Sequence, residues 1–357
     1  MGVTGINPGA LNMLVNCAGV RPGNRVLIAV EPADFGYYSA DLAPCVIAAA
    51  QHLGCTVEVI DTGFDPEVRS IPESVLARSP GVDVIVSLSR IGDQLRFDAN
   101  PTGPRRVQCY ALDAATLGSA FGTVPYAALV ALRNAVDKAF SAASEIRISC
   151  GKGTRITGRA PRATPPGDTS CARFPLSVFS PILAGGFGGQ VALPGFLIGT
   201  GSRYYAPFTA SLPDGMFALL EHGRLAGFSG PAEGQRQANA QYDFVSARYG
   251  LDRNAVHSWH AGIHPGCGFS GKIARSYEAW SGSAFGNPRI LHFHTCGAAP
   301  PGEICWNIID PTIEADGLRL WDNGILRPEL LQGGQQILAD YPELACAFNA
   351  PQTSIGL

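Results

Sequence analysis

Apolar runs separated by turn-forming residues divide the chain into two regions of different character. Between residues 23 and 62 a Gly-Asn turn leads into the apolar run Val26 to Val30, which has the length and β-branching of a buried strand and is bounded by Glu31 and Pro32. Leu42 to Leu53 supplies a helix, and Gly54 stands where a C-cap is wanted before a second strand, Thr56 to Ile60, ending at Asp61. Strand, helix and strand in that order form a βαβ unit. Val82 to Leu88 predicts a third strand. Ala127 to Ile146 predicts a long amphipathic helix carrying Leu129, Leu132, Val136 and Phe140 on one face. Residues 1–160 therefore read as a small doubly wound, Rossmann-like α/β domain. No Gly-x-Gly-x-x-Gly turn follows the first strand, so a dinucleotide site is not supported, and the domain is expected to be structural or oligomerising.

Pro161 to Thr169, rich in proline, arginine and small residues, reads as the boundary. Beyond it the pattern changes. Short apolar runs at Val178 to Leu183, Gly195 to Gly199 and Phe217 to Glu221 are separated by glycine turns, which predicts an antiparallel, β-rich α+β domain over 161–357. One helix, Ala232 to Tyr249, interrupts it, and no repeat of fixed period is present.

Composition narrows the classes of function. A chain of 357 residues with 46% hydrophobic content can bury a large core. Its formal net charge of -3 and the lack of a Lys/Arg-rich run argue against nucleic acid as a partner. No apolar run reaches the roughly eighteen residues a membrane span needs, and Met1 to Val15 lacks the pattern of a secretory signal, so neither a membrane nor export is expected. The ten cysteines are scattered without paired spacing and read as reduced thiols, which fits a cytoplasmic location.

The chemistry is concentrated in histidine. Of seven histidines, five (His257, His260, His264, His292 and His294) fall within residues 257–294, where uniform scatter would place fewer than one. Neutral imidazole is the commonest metal ligand at physiological pH, so such clustering is most simply read as a coordination shell. His292 and His294 follow an apolar lead-in as a His-x-His pair, and alternate residues of a strand share a face. In the other segment Gly262 and Pro265 make a continued helix improbable, so His257 to Cys267 is placed on a loop entering the site, with His264 the better ligand candidate and His260 the second. A structural zinc site on Cys267, Cys296 and Cys305 is a further reading, but none of these forms the Cys-x-x-Cys pair that closed sites usually use.

Glu303 follows the His-x-His pair after a rigid turn, which would return it toward the metal as ligand or general base. A solvated turn residue is the competing reading for it. Asp310 and Asp316 lie at turns and read as structural. Tyr204 and Tyr205 could donate to a developing oxyanion, although aromatic pairs in a β domain usually pack.

The order of segments resembles the aminopeptidase T-like (M29) metallopeptidase superfamily and, within it, the 2,5-dihydroxypyridine 5,6-dioxygenase branch. The resemblance runs through Arg21 to Ile28, Gly54 to Asp61, the Val82 strand, Ile146 to Thr154, Ala261 to Pro265 and Ile308 to Gly317. It implies an α/β N-terminal domain, a β-rich metal-binding C-terminal domain and assembly into homo-oligomers. In the dioxygenase branch a His-Pro histidine and a later His-x-Asp pair hold ferrous iron. His264 matches the first, but Glu303-Ile-Cys305 stands where the pair is expected, and His292 and His294 lie on an earlier strand that supplies a ligand in the peptidase branch. The consistent ligand set is His264, His292 and His294, with Glu303, His260 and Tyr205 as catalytic candidates. Two activities fit it: Fe(II)-dependent ring opening of a small hydroxylated, N-heterocyclic aromatic, and Zn(II)- or Mn(II)-dependent hydrolysis of an amide or cyclic amide.

Overall fold

The run Val26 to Val30 lacks polar alternation because both its faces are covered: Val26 and Ile28 enter one apolar cluster, Leu27 and Ala29 another. In the computed structural model, which describes residues 5–68, 70–97, 103–161, 169–199 and 201–357, this run is the second strand of a five-stranded parallel sheet. Its order is Thr56–Asp61, Arg25–Val30, Val84–Leu88, Arg105–Cys109, Ala172–Phe174. The order reverses direction at Arg25–Val30. In such sheets the crevice outside the strands' carboxyl ends, at that reversal, is the usual binding edge. The expected first helix is present as Leu42–His52, with Gly54 at φ +76° just beyond it.

The helix expected to reach Ile146 stops at Ala142, and Ile146–Ser149 is a strand. Asp316 explains the stop: its carboxylate accepts from the backbone N–H groups of Ser144 and Glu145 at 2.9 and 2.8 Å, drawing that backbone away from further helical bonding. These bonds also hold the Asp316 carboxyl below its ordinary value.

The division expected at residue 160 is interleaved rather than sequential. Ile146–Ser149 and Arg155–Gly158 already belong to an eight-stranded antiparallel sheet of the second half, whereas Ala172–Phe174 returns to the parallel sheet. Of the anticipated linker, 162–168 lie outside the described residues. The second half is β-rich, as expected, with the helix Ala232–Tyr249 against it. Its six-stranded antiparallel sheet runs Thr209–Ser211, Phe196–Ile198, Glu303–Ile309, Ile290–Cys296, Val256–Ala261, Ile182–Leu183. Among the described residues no helix is long and apolar enough to cross a membrane.

One core joins the two antiparallel sheets. Trp259, Phe293 and Trp306 are register partners on three adjacent strands and all enter it. Phe140, Phe179, Trp259 and Trp321 pack there with ring centroids 5.2–5.9 Å apart. Strand alternation then sends the neighbouring rows to the opposite face: His260, His292 and Asn307 in one, Ser258, His294 and Cys305 in the next. The segment expected as a loop is therefore a strand through Ala261. Gly262 and Pro265 end that strand; they say nothing against its beginning. A Cβ at Gly262 would lie 2.2 Å from the Asn287 carbonyl oxygen, so the turn there needs glycine.

Candidate metal centre

Three histidine side chains meet on the outward face of the six-stranded sheet. His260 comes from Val256–Ala261, and His292 and His294 from Ile290–Cys296. The Nε2 atom of His260 lies 2.8 Å from Nε2 of His292 and 3.1 Å from Nε2 of His294. All three residues are buried, and their ligand atoms form a group that could hold a metal ion.

The outer ring nitrogens fix what the inner ones can do. His260 Nδ1 is 3.0 Å from the Phe179 carbonyl oxygen, which only accepts, so Nδ1 carries the proton and Nε2 presents a lone pair. His294 Nδ1 lies 2.8 Å from Glu303 Oε1 and donates to that carboxylate, so that in the neutral ring its Nε2 presents a second lone pair. Two lone pairs facing each other at 3.1 Å repel unless a cation stands near both. Burial, with the Arg173 and Arg96 guanidiniums adding to it, pushes the His260 pKa well below its usual value. Burial and the His260 and His294 rings do the same for His292. The His260 and His292 imidazoles are therefore neutral near pH 7, the form in which an imidazole can bind a metal ion. The donor set and its tautomers fit a divalent transition-metal ion.

A second layer reaches the centre from the N-terminal sheet. Arg96 Nη2 lies 3.5 Å from Glu303 Oε2, and its Nη1 lies 3.0 Å from Asp93 Oδ2. Asp93 also accepts from the Tyr110 hydroxyl at 2.8 Å and from the Ser202 N–H and hydroxyl at 2.9 and 3.0 Å. Burial opposes the Arg96 charge, but Asp93 and the other groups around it outweigh that and hold the cation above its ordinary pKa. A cleft of about 480 Å³ opens over the three histidines, lined on the N-terminal side by Asp93, Arg96, Phe97 and Tyr110 and on the other by Arg173, Phe285 and Ala298. The doubly wound region is thus part of the site wall, where fold-level reasoning expected a structural or oligomerising role.

The other sequence candidates fall at different places. His264 is fully buried away from the trio: Nε2 is 3.1 Å from the Phe121 carbonyl oxygen, and Nδ1 accepts from the Gly266 N–H at 3.0 Å. Both ring nitrogens are occupied, and His260 takes the place in the cluster expected for His264. The strand ends at Ala261, and the chain beyond it places His264 against Phe121. Glu303 does approach the centre, but at Nδ1 of His294 and not at the convergence of Nε2 atoms, so it fixes the His294 ring where a ligand or general base was expected. Tyr205 donates a hydrogen bond from its hydroxyl to the Glu303 carbonyl oxygen at 2.8 Å and, being buried, has its pKa pushed up; it fixes the strand carrying Glu303 and is not among the cleft-lining residues. His257 contacts the Cys296 carbonyl oxygen at 3.1 Å. Cys267, Cys296 and Cys305 are separate free thiols. Sequence reasoning missed Arg96 and Asp93, whose only signal is a set of charges (Arg90, Asp93, Arg96) at three-residue spacing directly after a buried strand.

No protein-family model and no curated protein sequence matches the chain. Among solved structures it aligns with 2,5-dihydroxypyridine dioxygenase from Pseudomonas putida KT2440 at a TM-score of 0.58 and 14% identity, over 91% of this chain and 98% of that one. The two share a fold. The α/β architecture with a β-rich C-terminal half agrees with that shared fold. Wild-type AmpT from Thermus thermophilus aligns at a TM-score of 0.46 and 13% identity, over 89% of this chain and 98% of its own. At such identities the dioxygenase likeness speaks for architecture, and the chemistry must be argued from the three histidines and their surroundings.

Proposed function

We propose that this chain is a mononuclear metal-dependent enzyme in which His260, His292 and His294 hold ferrous iron, and that it opens a small hydroxylated aromatic ring, N-heterocyclic in our reading, with dioxygen. The observation that carries the reading is the convergence of the Nε2 atoms, with the outer nitrogens of His260 and His294 held by Phe179 and Glu303, beneath a cleft of about 480 Å³. When bound, the ion would supply Lewis acidity and adjacent open positions for substrate oxygen and dioxygen. The chain's own residues do the rest. Phe97 and Phe285 offer apolar walls for a planar ring, while Arg173 and Tyr110 place polar groups at the cleft's edge. Three neutral ligands leave the charge of the ion uncompensated, which favours an anionic phenolate-type substrate oxygen.

Hydrolysis by zinc or manganese is the second reading, since a three-histidine site can also activate water. It needs a general base at the open side of the ion. Among the described residues the carboxylate lining the cleft is Asp93, engaged by Arg96, Tyr110 and Ser202, while Glu303 sits behind His294. That arrangement supports ring opening over hydrolysis. Metal analysis of anaerobically purified protein, followed by oxygen uptake with a panel of hydroxypyridines and hydroxybenzoates, tests the choice. Iron with substrate-dependent oxygen consumption supports ring opening; zinc with oxygen-independent amide cleavage replaces it with hydrolysis. Retention of metal and activity by His292→Ala would remove the site from both readings.

A further inference from the structure

Two of the three clustered imidazoles have an identified partner on the outer nitrogen, and the third does not. His260 Nδ1 has the Phe179 carbonyl and His294 Nδ1 has Glu303. His292 Nδ1 is buried without a hydrogen-bond partner. Directly across the strand pair, Asn307 is the register partner of His292, fully buried, and neither its Oδ1 nor its Nδ2 has a partner. Register partners in an antiparallel pair project from the same face with Cβ atoms about 5 Å apart, within reach of an amide and an imidazole. Unsatisfied buried polar atoms are rare, and each costs about 1–3 kcal/mol, so three in one cross-strand pair require a common explanation.

Given the metal reading above, on which this rests, we propose that Asn307 is the positioning residue for His292, completing a set in which every ligand imidazole is oriented through its outer nitrogen. The choice of an amide follows from the two tautomers His292 must adopt. Without metal, the 2.8 Å contact between the Nε2 atoms of His260 and His292 requires His292 to donate, because the His260 nitrogen is a lone pair. His292 Nδ1 is then an acceptor, which Asn307 Nδ2 could serve after a turn of the amide side chain. Were an ion held at His292 Nε2, the ring proton would sit on Nδ1, and Asn307 Oδ1 could accept a hydrogen bond from it. An amide turned by half a rotation serves both states. Leucine, of similar size, serves neither, and aspartate serves only the metal-bound one.

The test measures Zn2+ affinity of the intact chain by competition with a chromophoric chelator, for wild type, Asn307→Leu, Asn307→Asp and His260→Ala, with thermal melts recorded alongside. We expect Asn307→Leu to weaken Zn2+ binding by about 10-fold or more, in the range typical of outer partners of metal-ligating histidines, and Asn307→Asp to bind as tightly as wild type or tighter. Leucine within two-fold of wild type overturns the proposal, and so does aspartate binding as weakly as leucine, which would mean a packing role. Should the leucine variant not fold, the aspartate variant decides alone: weaker binding than wild type overturns the proposal. Loss of Zn2+ in His260→Ala with unchanged Asn307 variants sinks this inference while sparing the metal centre. A wild type that binds no Zn2+ sinks both.

Discussion

Replacing His264 separates the arrangement seen in the fold from the one the His-Pro motif suggests. The imidazole is fully buried, donates to the Phe121 carbonyl at 3.1 Å, accepts from the Gly266 N–H at 3.0 Å, and stacks on the Phe121 ring with centroids 6.2 Å apart. His264→Ala deprives two backbone groups of a partner, at about 1–3 kcal/mol each, and opens a cavity besides, for a total of roughly 3–5 kcal/mol. With a urea m-value of about 3 kcal/mol/M, the unfolding midpoint should fall by roughly 1 M or more. The His264→Asn variant keeps a side-chain acceptor for the Gly266 N–H and should recover part of the loss. Zn2+ affinity of the folded variants should stay within a few-fold of wild type, because none of the three clustered Nε2 atoms is touched. A variant that unfolds like wild type yet no longer binds Zn2+ would return His264 to the ligand set and refute the geometry argued above.

Glu303→Gln keeps an acceptor near His294 Nδ1 but removes its charge, and Zn2+ affinity should drop about 10- to 100-fold; an unchanged dissociation constant would show that the carboxylate does not tune His294. Burial holds the His264 pKa down at about 4, well below the 6.5 of an exposed histidine. The unfolded chain therefore binds the extra proton first as pH falls, so this residue costs nothing above about pH 6.5 and removes about 3 kcal/mol of stability by pH 4. Urea unfolding from about pH 7.5 to 4 should show that loss in wild type and a shallower one in His264→Asn; parallel profiles would count against it. At Gly201, with φ +57°, an added Cβ would lie 2.1 Å from Asp93 Oδ2, so Gly201→Ala should lower the melting temperature by a few degrees and weaken substrate binding in the cleft. A melt identical to wild type would mean that Asp93 is not held as described.

Local patterns were legible where one physical cause controls them. Val26 to Val30 is a strand because it is apolar on both faces, and Ala232–Tyr249 has the bounds its pattern predicts. The His-x-His pair lies on one face of a strand, as alternation requires. What stayed hidden depends on cross-strand register. The position of His260 opposite His292 follows from which strands pair and by what offset, and His257 to Cys267 carries breakers that mask a strand ending just before them. The passage of Ile146–Gly158 into the second half, and the return of Ala172–Phe174 to the parallel sheet, are likewise long-range pairings with no local mark. Arg96 was invisible for the same reason, its partner Glu303 lying 207 residues away.

That last pairing also bears on why the two halves belong together. The side chains of Asp93, Arg96 and Glu303 are 6%, 8% and 1% exposed, and buried ion pairs of this kind add little net stability over a well-packed apolar core, because desolvation offsets their attraction. Their value lies in direction. Arg96, just past the short helix that follows the third parallel strand, braces the carboxylate that orients His294, while Ser202 and Tyr110 brace Asp93 from two further segments. The Arg96 brace on Glu303 is therefore present only while the parallel sheet is docked against the antiparallel one. If that brace strengthens the hold of the three histidines on an ion, binding of the ion must stabilise the docking by the same coupling free energy.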